Sequence, residues 1–397
     1  IFSGGTPDVY LSNVFANTGL LTNNIDISRQ NPTGSPSGTT PVCSVALSVA
    51  GRTQLCNDAL NGVTGKNFPS SVYNFLTTNV GSLAQASTDV IDPNLKLARK
   101  WKASLQADYE ANLGPLGDGW LIGLQFLYDK NIYGYQWTDI RSVAIGTLPD
   151  GRTRYGPIGG AATTSRDLML TNSKQGRAFF YTARFAKSWD SGFSIDGSYT
   201  RSNVKDVANL TSSTSSSNYG NNAFEDPNFP AYGRSIYEFT NQWKFGVDFK
   251  REFFGDNKTR IGLFGEIRSG RPYSLTMLEN TGGRGSAFGT NGNLGAMLLY
   301  VPTTTDSKVS WGDTVVNGVV TQTAAQNESL FNQLVDQLGI GKYRGKIISK
   351  NTQTSPRFFK LDMHLSQEVP LVKGSKLELF ADIENVLNLI DSDWGSL

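Results

Sequence analysis

The sequence predicts an all-β protein in which antiparallel strands form the wall of a transmembrane β-barrel. Three observations lead to this class. Eight segments alternate apolar and polar residues, the connections between them are alternately short and long, and aromatic residues lie near the ends of the apolar faces. Alternation with a period of two indicates strands. Short turns at one end of a sheet and long loops at the other are typical of outer-membrane barrels.

The alternation is clear in the segment RKWKASLQADYE, residues 99–110. Every second residue from Trp101 to Tyr109 is apolar or aromatic, and the residues between them are polar or charged. A strand of this kind has one apolar and one polar face. No proline lies inside any of the eight segments, as expected for strands that are paired on both sides. The predicted strands span residues 99–110, 119–130, 177–189, 193–203, 241–252, 259–268, 358–369 and 376–388.

Short and long connections follow one another without exception along this part of the chain. Because successive antiparallel strands reverse direction, all short turns lie at one end of the sheet and all long loops at the other. A large soluble β-sandwich is the alternative, since alternation by itself fits both classes. The short connections are 111–118, 190–192, 253–258 and 370–375, and the long ones are 131–176, 204–240 and 269–357.

The aromatic residues indicate which face of the sheet contacts lipid. Tryptophan and tyrosine are enriched at the two membrane–water interfaces. We therefore predict that the apolar face contacts lipid and that the charged face lines a wet lumen. Lys187 and Arg251 fall on the apolar face, but at strand ends, where a long cation can extend to the headgroups. The predicted aromatic girdle comprises Trp101, Tyr109, Trp120, Tyr128, Trp189, Tyr199 and Trp243.

Composition excludes several classes of function. The net charge of +2 does not fit a nucleic-acid binder. A single histidine, His364, does not fit a histidine-based metal site or a Ser-His-Asp triad. The sequence also contains no phosphate-binding loop, no dinucleotide fingerprint and no HExxH motif. We therefore predict neither an enzyme nor a cofactor.

Cys43 and Cys56 are the two cysteines of the chain, and they lie in a segment rich in Ser, Thr, Gly and Pro. Their spacing permits a small disulfide loop, which indicates an oxidising compartment. Two free thiols are the alternative.

The long loops are rich in Gly, Ser, Asn and Thr, and stretches such as 209–222 are predicted to be exposed and mobile. One helix is predicted at 324–339, packed on the rim of the barrel. Tyr133, Tyr135 and Trp137 are weak candidates for stacking on a solute, with packing at the rim as the alternative. Glu225 and Asp226 offer oxygen atoms to Ca²⁺, with a solvated turn as the preferred interpretation.

Several stretches resemble a known family. The chain is similar to the C-terminal half of TonB-dependent outer-membrane receptors, most of all to their Oar-like branch. These stretches are strand starts, turns and loop bases, and none is catalytic. They are VIDPNLKLARKWKASLQADYE (90–110), SGRPYS (269–274), LLYVP (298–302), YRGKIISKNTQTSPRFFKLDMHLSQEVP (343–370) and DIENVLNLIDSDWG (382–395).

This resemblance implies a 22-stranded barrel in the bacterial outer membrane, in contact with lipid and lipopolysaccharide. It implies active uptake of an unknown large or scarce solute, energised by a TonB-type complex. The chain departs from the family in lacking a plug domain, a TonB box and a final strand that ends in an aromatic residue. We therefore expect part of a longer polypeptide, with residues 1–98 mostly extracellular loop and residues 99–397 C-terminal strands and loops. A passive porin and a surface adhesive or structural barrel are the alternatives.

Overall fold

The computed structural model describes residues 54, 58, 62–64, 67–78, 88–158, 166–208, 210–278, 283–289 and 296–389. The chain divides into two compact units. The smaller, Val14–Thr88, contains helix α1 (Ser70–Thr78), whose Val72 is buried. Cys43 and Cys56 lie outside the described residues.

The larger unit, Ile1–Asn13 with Asp89–Leu397, consists mostly of β-strands and has two helices in its described residues. The helices are α2 (Ser215–Gly220) and α3 (Ala324–Gln337). The first strands are β1 (Asp89–Ile91), β2 (Arg99–Ala111), β3 (Trp120–Asp139), β4 (Ser142–Thr147), β5 (Thr153–Pro157), β6 (Leu168–Ser173), β7 (Arg177–Ser188), β8 (Phe193–Asp206), β9 (Phe224–Asp226), β10 (Phe229–Pro230) and β11 (Gly233–Arg234). The others are β12 (Asn241–Phe254), β13 (Asn257–Arg268), β14 (Pro272–Tyr273), β15 (Thr276–Met277), β16 (Met297–Leu298), β17 (Tyr300–Val301), β18 (Thr314–Val316), β19 (Val319–Gln322), β20 (Lys346–Ile347), β21 (Gln353–Thr354), β22 (Phe358–Pro370) and β23 (Lys376–Ile383).

Eight long strands form an antiparallel meander in the order β2-β3-β7-β8-β12-β13-β22-β23. They coincide with the eight predicted strands, and the predicted alternation of short and long connections is confirmed. Strands β1, β6 and β11 extend the same sheet at its loop end, where β1 runs parallel to β6. Among the described residues, no pairing joins β2 to β23, so each leaves one edge unpaired.

Two strand ends differ from the prediction by more than three residues. Strand β3 continues to Asp139, because beyond Lys130 it leaves β7 and pairs with β6 over Gly134–Asp139. Strand β23 ends at Ile383 instead of continuing to 388. Asn385 has a φ of 52°, which is incompatible with a strand, and a 3-10 turn follows over Val386–Leu389.

Helix α3 confirms the predicted helix. Thr323 and Gln326 form a capping box at its start, and Gly339 follows its end with a φ of 62°. Leu330 and Leu334 are exposed, whereas Val335 is buried. The helix therefore packs through Val335, with Phe331 and Leu338 partly buried beside it.

Most of the buried apolar residues lie in the long loops. We call the described residues of 134–173, 207–240 and 269–357 the loop cap. The segment 209–222 was predicted to be exposed, but Tyr219 of α2 is buried against Phe224, with ring centroids 5.3 Å apart. The cap contains two apolar clusters. The first consists of Trp137, Leu168, Leu170, Tyr219, Phe224, Phe288, Ala296 and Met297, and the second of Ala231, Leu298, Val301, Val335, Ile340 and Ile348.

Candidate functional site

The eight-stranded meander has one continuous apolar face. Residues directly opposite one another in an antiparallel ladder lie on the same face, so the strand register places Leu105, Phe126 and Tyr181 side by side. Further along the sheet another rung crosses five strands without a polar residue. It consists of Ile195, Val247, Leu263, Met363 and Ile383.

This apolar face is open to solvent in the described structure. Leu105 is 72% exposed, Leu124 61% and Leu379 57%. Soluble monomers rarely expose contiguous apolar patches larger than a few hundred Å². A sheet that presents apolar residues on strands β2 to β23 therefore requires an apolar environment against this face.

Aromatic residues mark the two ends of the apolar face. Trp101 and Tyr109 are eight residues apart on β2, and Trp120 and Tyr128 are eight residues apart on β3. Eight residues span about 26 Å along a strand. At the tilt of about 40° that barrel strands have, this is about 20 Å across the membrane, somewhat less than the apolar band of about 25 Å of an outer-membrane protein. Tyr109 and Trp120 lie at the turn end, and Trp101 and Tyr128 lie towards the loop end.

The other predicted aromatic residues lie on this same face. Trp189 follows β7 at the turn end, and its ring is perpendicular to that of Trp120 with centroids 6.0 Å apart. Tyr199 is directly opposite Trp243, and their ring centroids are 4.3 Å apart. The Tyr199 hydroxyl donates a hydrogen bond of 2.6 Å to Asn241. An amphipathic ring that forms a hydrogen bond through its hydroxyl is suited to a boundary between apolar and aqueous surroundings.

The opposite face of the sheet carries ion pairs of mixed sign. Asp108 and Arg184 are 2.6 Å apart, as are Asp248 and Arg260. Near β23, Lys376 lies 2.8 Å from Glu368. Because most of these groups are partly exposed, each pair contributes little to stability, about 0–1 kcal/mol. Their effect is to make this face hydrophilic and close to neutral.

A hollow of about 440 Å³ lies on this polar face, where glycines leave room between the neighbouring side chains. Gly246 and Gly262 form part of its floor. His364 lies at its side and makes a 2.6 Å hydrogen bond to Asp382. The lone histidine is therefore a member of the polar wall.

The loop cap is held together by a buried charged network around Asp139, at the end of β3. Its Oδ1 accepts hydrogen bonds of 3.0 Å from the backbone N–H groups of Arg141 and Asp167. Its Oδ2 accepts from the Ser142 hydroxyl at 2.6 Å and lies 3.2 Å from the Arg284 guanidinium. Buried charges are stable only when they are paired and hydrogen-bonded, so these contacts fix the positions of three loop segments.

Buried tyrosines join further segments of the cap. The Tyr155 hydroxyl donates a 2.8 Å hydrogen bond to Asp226, and burial together with this bond raises the pKa of Tyr155. Burial also raises the pKa of Tyr219, whose hydroxyl donates to Asn228 at 3.0 Å. Tyr300 is buried and donates a 2.6 Å bond to Asp306, and its pKa is raised to about 12.

A cleft of about 480 Å³ opens in the cap between the β9 region and the segments that follow β13 and β20. Its polar groups are amides and hydroxyls in equal number, and one cation is present. The Lys350 ammonium is bonded to Asp206 at 2.7 Å. The polar side chains along the cleft come from Asn221, Asn222, Tyr273, Ser274, Thr276, Lys350 and Asn351.

The three aromatic residues predicted as solute-stacking candidates lie on strand β3, not in a loop. Tyr133 lies under the Arg99 guanidinium, 5.2 Å from it, and the Tyr135 hydroxyl accepts from the Ala98 N–H at 2.9 Å. Trp137 is buried in the first cluster of the cap. Trp137 therefore packs the cap in this structure, and its ring is not accessible to a solute.

Of the acidic pair in the segment 221–230, Asp226 has a local role. Asp226 accepts bonds from Tyr155 and from the Asn228 N–H, the latter at 2.9 Å. Within the described ranges, no group of three or more Asp, Glu, His and Cys side chains is placed to hold a metal ion.

Comparisons with known proteins do not assign the chain to a family. No family model matches it, and a search of the curated proteins gives no match. In the described part of the chain, no helix is both long enough and apolar enough to span a membrane.

Proposed function

We propose that the eight-stranded meander is part of the wall of a β-barrel in the bacterial outer membrane, and that the protein takes part in active uptake of a solute. The observation that carries this proposal is the sheet itself. One face carries mostly apolar residues on all eight strands and is exposed, and the other face is charged. A bilayer against the apolar face and water against the charged face give each face of the sheet the environment that its side chains need.

The unpaired edges of β2 and β23 support closure with further strands. An antiparallel edge of 13 residues, as in β2, exposes a row of unsatisfied N–H and C=O groups. In a membrane these groups must be paired, so a spanning sheet has to close. The 22-stranded barrel implied by the sequence resemblance provides this closure.

The mixed charge of the inner face supports a plugged transporter. Groups such as Asp108 with Arg184 and Asp248 with Arg260 are suited to hydrogen bonding with a domain that fills the lumen. An ion-selective pore has one dominant sign of charge along its wall. The proposed partner is a TonB-type energising complex, which moves the plug.

The loop cap supplies the surface that first contacts the solute. Its segments are fixed by the Asp139 network. The cleft presents the exposed side chains of Asn221, Tyr273 and Thr276 to solvent. Amide and hydroxyl groups recognise neutral polar solutes such as oligosaccharides or peptides, so we place capture of the solute at this cleft.

Conductance and uptake test this proposal together. The full-length protein, reconstituted in planar bilayers, is expected to insert and to show no large steady conductance. Cells that express it are expected to take up fluorescein-labelled oligosaccharides or oligopeptides, and uptake is expected to stop when the proton gradient is collapsed. Large steady conductance with gradient-independent uptake would establish the passive porin instead.

A further inference from the structure

Three cations lie side by side on the apolar face, at the loop end of the sheet. Lys130 of β3 is directly opposite Arg177 of β7, and Arg177 is directly opposite Lys205 of β8. We call Lys130, Arg177 and Lys205 the cationic rung. The neighbouring rung on the same face, two residues nearer the turn end, consists of Tyr128, Phe179 and Asn203.

The cationic rung borders the aromatic end of the apolar band. The rings of Tyr128 and Phe179 have centroids 5.0 Å apart, and the Arg177 guanidinium lies 5.7 Å from the Phe179 ring. Consecutive residues on one face of a strand are about 6.6 Å apart. The three charges therefore lie one step beyond Tyr128 and Phe179 and level with Trp101, which is directly opposite Lys130. This is the depth of the lipid headgroups if the apolar face contacts a bilayer.

The cationic rung lacks carboxylate partners among the described residues. Lys130 and Arg177 are exposed and Lys205 is half-buried. The rung continues to Arg234, which lies opposite Lys205, but the Arg234 guanidinium is paired with Glu238 at 2.7 Å. Like charges directly opposite one another destabilise a sheet. An external anion that contacts the three cations together removes this repulsion.

Two further cations on the same face extend the positive region. Arg99 of β2 lies over the Tyr133 ring, and Arg201 of β8 lies opposite Tyr181 and contacts Asn241 at 3.4 Å. Arg201 is one of the residues that line an apolar hollow of about 470 Å³. The other lining side chains on this face are Leu105, Ala107, Leu124, Phe126, Tyr181, Ala183 and Tyr199.

We propose that the cationic rung and this apolar hollow form one binding site for a lipid whose headgroup carries phosphate. The phosphate contacts Lys130, Arg177 and Lys205, and an acyl chain lies in the hollow beside Leu124. Charge complementarity and continuity with the apolar band both favour this occupant. The inference rests on the proposed function, because it requires the apolar face to contact a bilayer.

Native mass spectrometry of the full-length protein in detergent micelles tests the site. The probes are bisphosphorylated lipid A, dephosphorylated lipid A and inorganic phosphate. The test variant is Lys130→Gln/Arg177→Gln/Lys205→Gln. The control variant, Lys102→Gln/Lys244→Gln/Lys250→Gln, removes three charges from the opposite face of the same sheet. Far-UV circular dichroism and the thermal transition establish that both variants are folded.

We expect the test variant to bind bisphosphorylated lipid A at least about tenfold more weakly than the wild type, since each basic group near an anionic surface contributes to binding. The control variant is expected to bind as the wild type does. Dephosphorylated lipid A is expected to bind weakly to all three proteins, and inorganic phosphate should not compete at equal concentration, because it cannot occupy the hollow.

Salt dependence of the wild type provides a test that needs no variant. Binding of bisphosphorylated lipid A should weaken as salt is raised, and binding of the dephosphorylated form should not. Equal loss of lipid binding in the test and control variants would overturn this inference, and so would binding that depends neither on the lipid phosphate nor on salt. Either result would leave the proposed membrane location of the sheet unaffected. A wild-type protein that does not insert into bilayers would overturn the proposed function itself.

Discussion

Asp108 and Arg184 form an ion pair of 2.6 Å, although their strands are not neighbours. Strand β3 lies between them, and the residue at the crossing point is Gly123, which is opposite Asp108 on one side and Arg184 on the other. A Cβ atom at Gly123 would lie 2.4 Å from the Arg184 Nε and 2.5 Å from the Asp108 Oδ1. The pair therefore depends on the absence of a side chain at position 123.

The first prediction concerns this dependence. Both side chains are about half exposed, so the coupling free energy measured with Asp108→Asn and Arg184→Gln should be small, about 0.2–1 kcal/mol. In a Gly123→Ala background the same double-mutant cycle should give a coupling near zero, because the methyl group displaces the two charges. Urea unfolding measures each corner of the cycle. An unchanged coupling would show that the pair forms without the space at Gly123.

The second prediction uses two adjacent residues of β3 that lie on opposite faces. Leu124 is opposite Ala107 and Ala183 on the apolar face, and Gln125 is opposite Gln106 on the polar face. Leu124→Arg should reduce the free energy of unfolding from lipid vesicles by about 2–4 kcal/mol, as expected for arginine near the bilayer midplane. Gln125→Arg, the matched control, should change it by less than about 1 kcal/mol. Similar costs at both positions would contradict the assignment of the faces.

The third prediction concerns Cys43 and Cys56, which lie outside the described residues. We expect them to form a disulfide, since the proposed outer-membrane location places them in an oxidising compartment. The intact mass should show two added alkyl groups only after reduction. Alkylation of both cysteines without a reductant would show that the thiols are free.

The eight long strands could be predicted from the sequence because a strand with one apolar and one polar face repeats every two residues. In β2, the alternation from Trp101 to Tyr109 is uninterrupted. The register could not be predicted. The cationic rung of Lys130, Arg177 and Lys205 is formed by single residues of three strands, and only the pairing of the strands brings them together.

The loop cap could not be predicted from the sequence, because its buried residues show no periodic pattern. Trp137, Leu168 and Tyr219 come from three separate segments, and none of these segments is long enough to show a repeat. One signal was available in the run AMLLYV, residues 296–301, which is too apolar for an exposed loop and contains the buried Leu298. The burial of Lys350 has no signal in the sequence, because its ion-pair partner, Asp206, is far away along the chain.

The fourth prediction concerns alkaline pH. A tyrosine whose pKa is raised in the folded state stabilises the fold fully below its unfolded pKa of about 10. This contribution is lost as the pH rises through the folded pKa, which is about 12 for Tyr300. Because Tyr155 and Tyr219 also have raised pKa values, the stability of the cap should fall between about pH 10 and 12.

Urea unfolding from pH 8 to 12, followed by near-UV circular dichroism, measures this decline. Tyr300→Phe should flatten it, since phenylalanine does not ionise. Tyr237→Phe is the control, because Tyr237 is an exposed tyrosine of the same cap. Identical pH profiles for the wild type and Tyr300→Phe would show that ionisation of Tyr300 does not limit the stability of the cap.

The fifth prediction separates the stability of the loop cap from that of the sheet. Asp139 is 1% exposed and accepts hydrogen bonds from three residues of the cap besides its contact with Arg284. Removal of one partner from a buried charged network costs about 3–5 kcal/mol, since the remaining charges lose their counterion. Asp139→Ala should therefore destabilise the cap by an amount of this order.

Hydrogen exchange shows where the loss occurs. In Asp139→Ala, the amides of β6 and of Arg141 should exchange faster, because they belong to the segments that Asp139 holds. The amides of β12 and β13 should keep their protection, since the apolar clusters of the cap contain no residue of these strands. Asp118→Ala, at a side chain that is 86% exposed, is the control and should leave both regions unchanged. Uniform loss of protection in cap and sheet would mean that the two unfold together, and that the cap is an integral part of the wall.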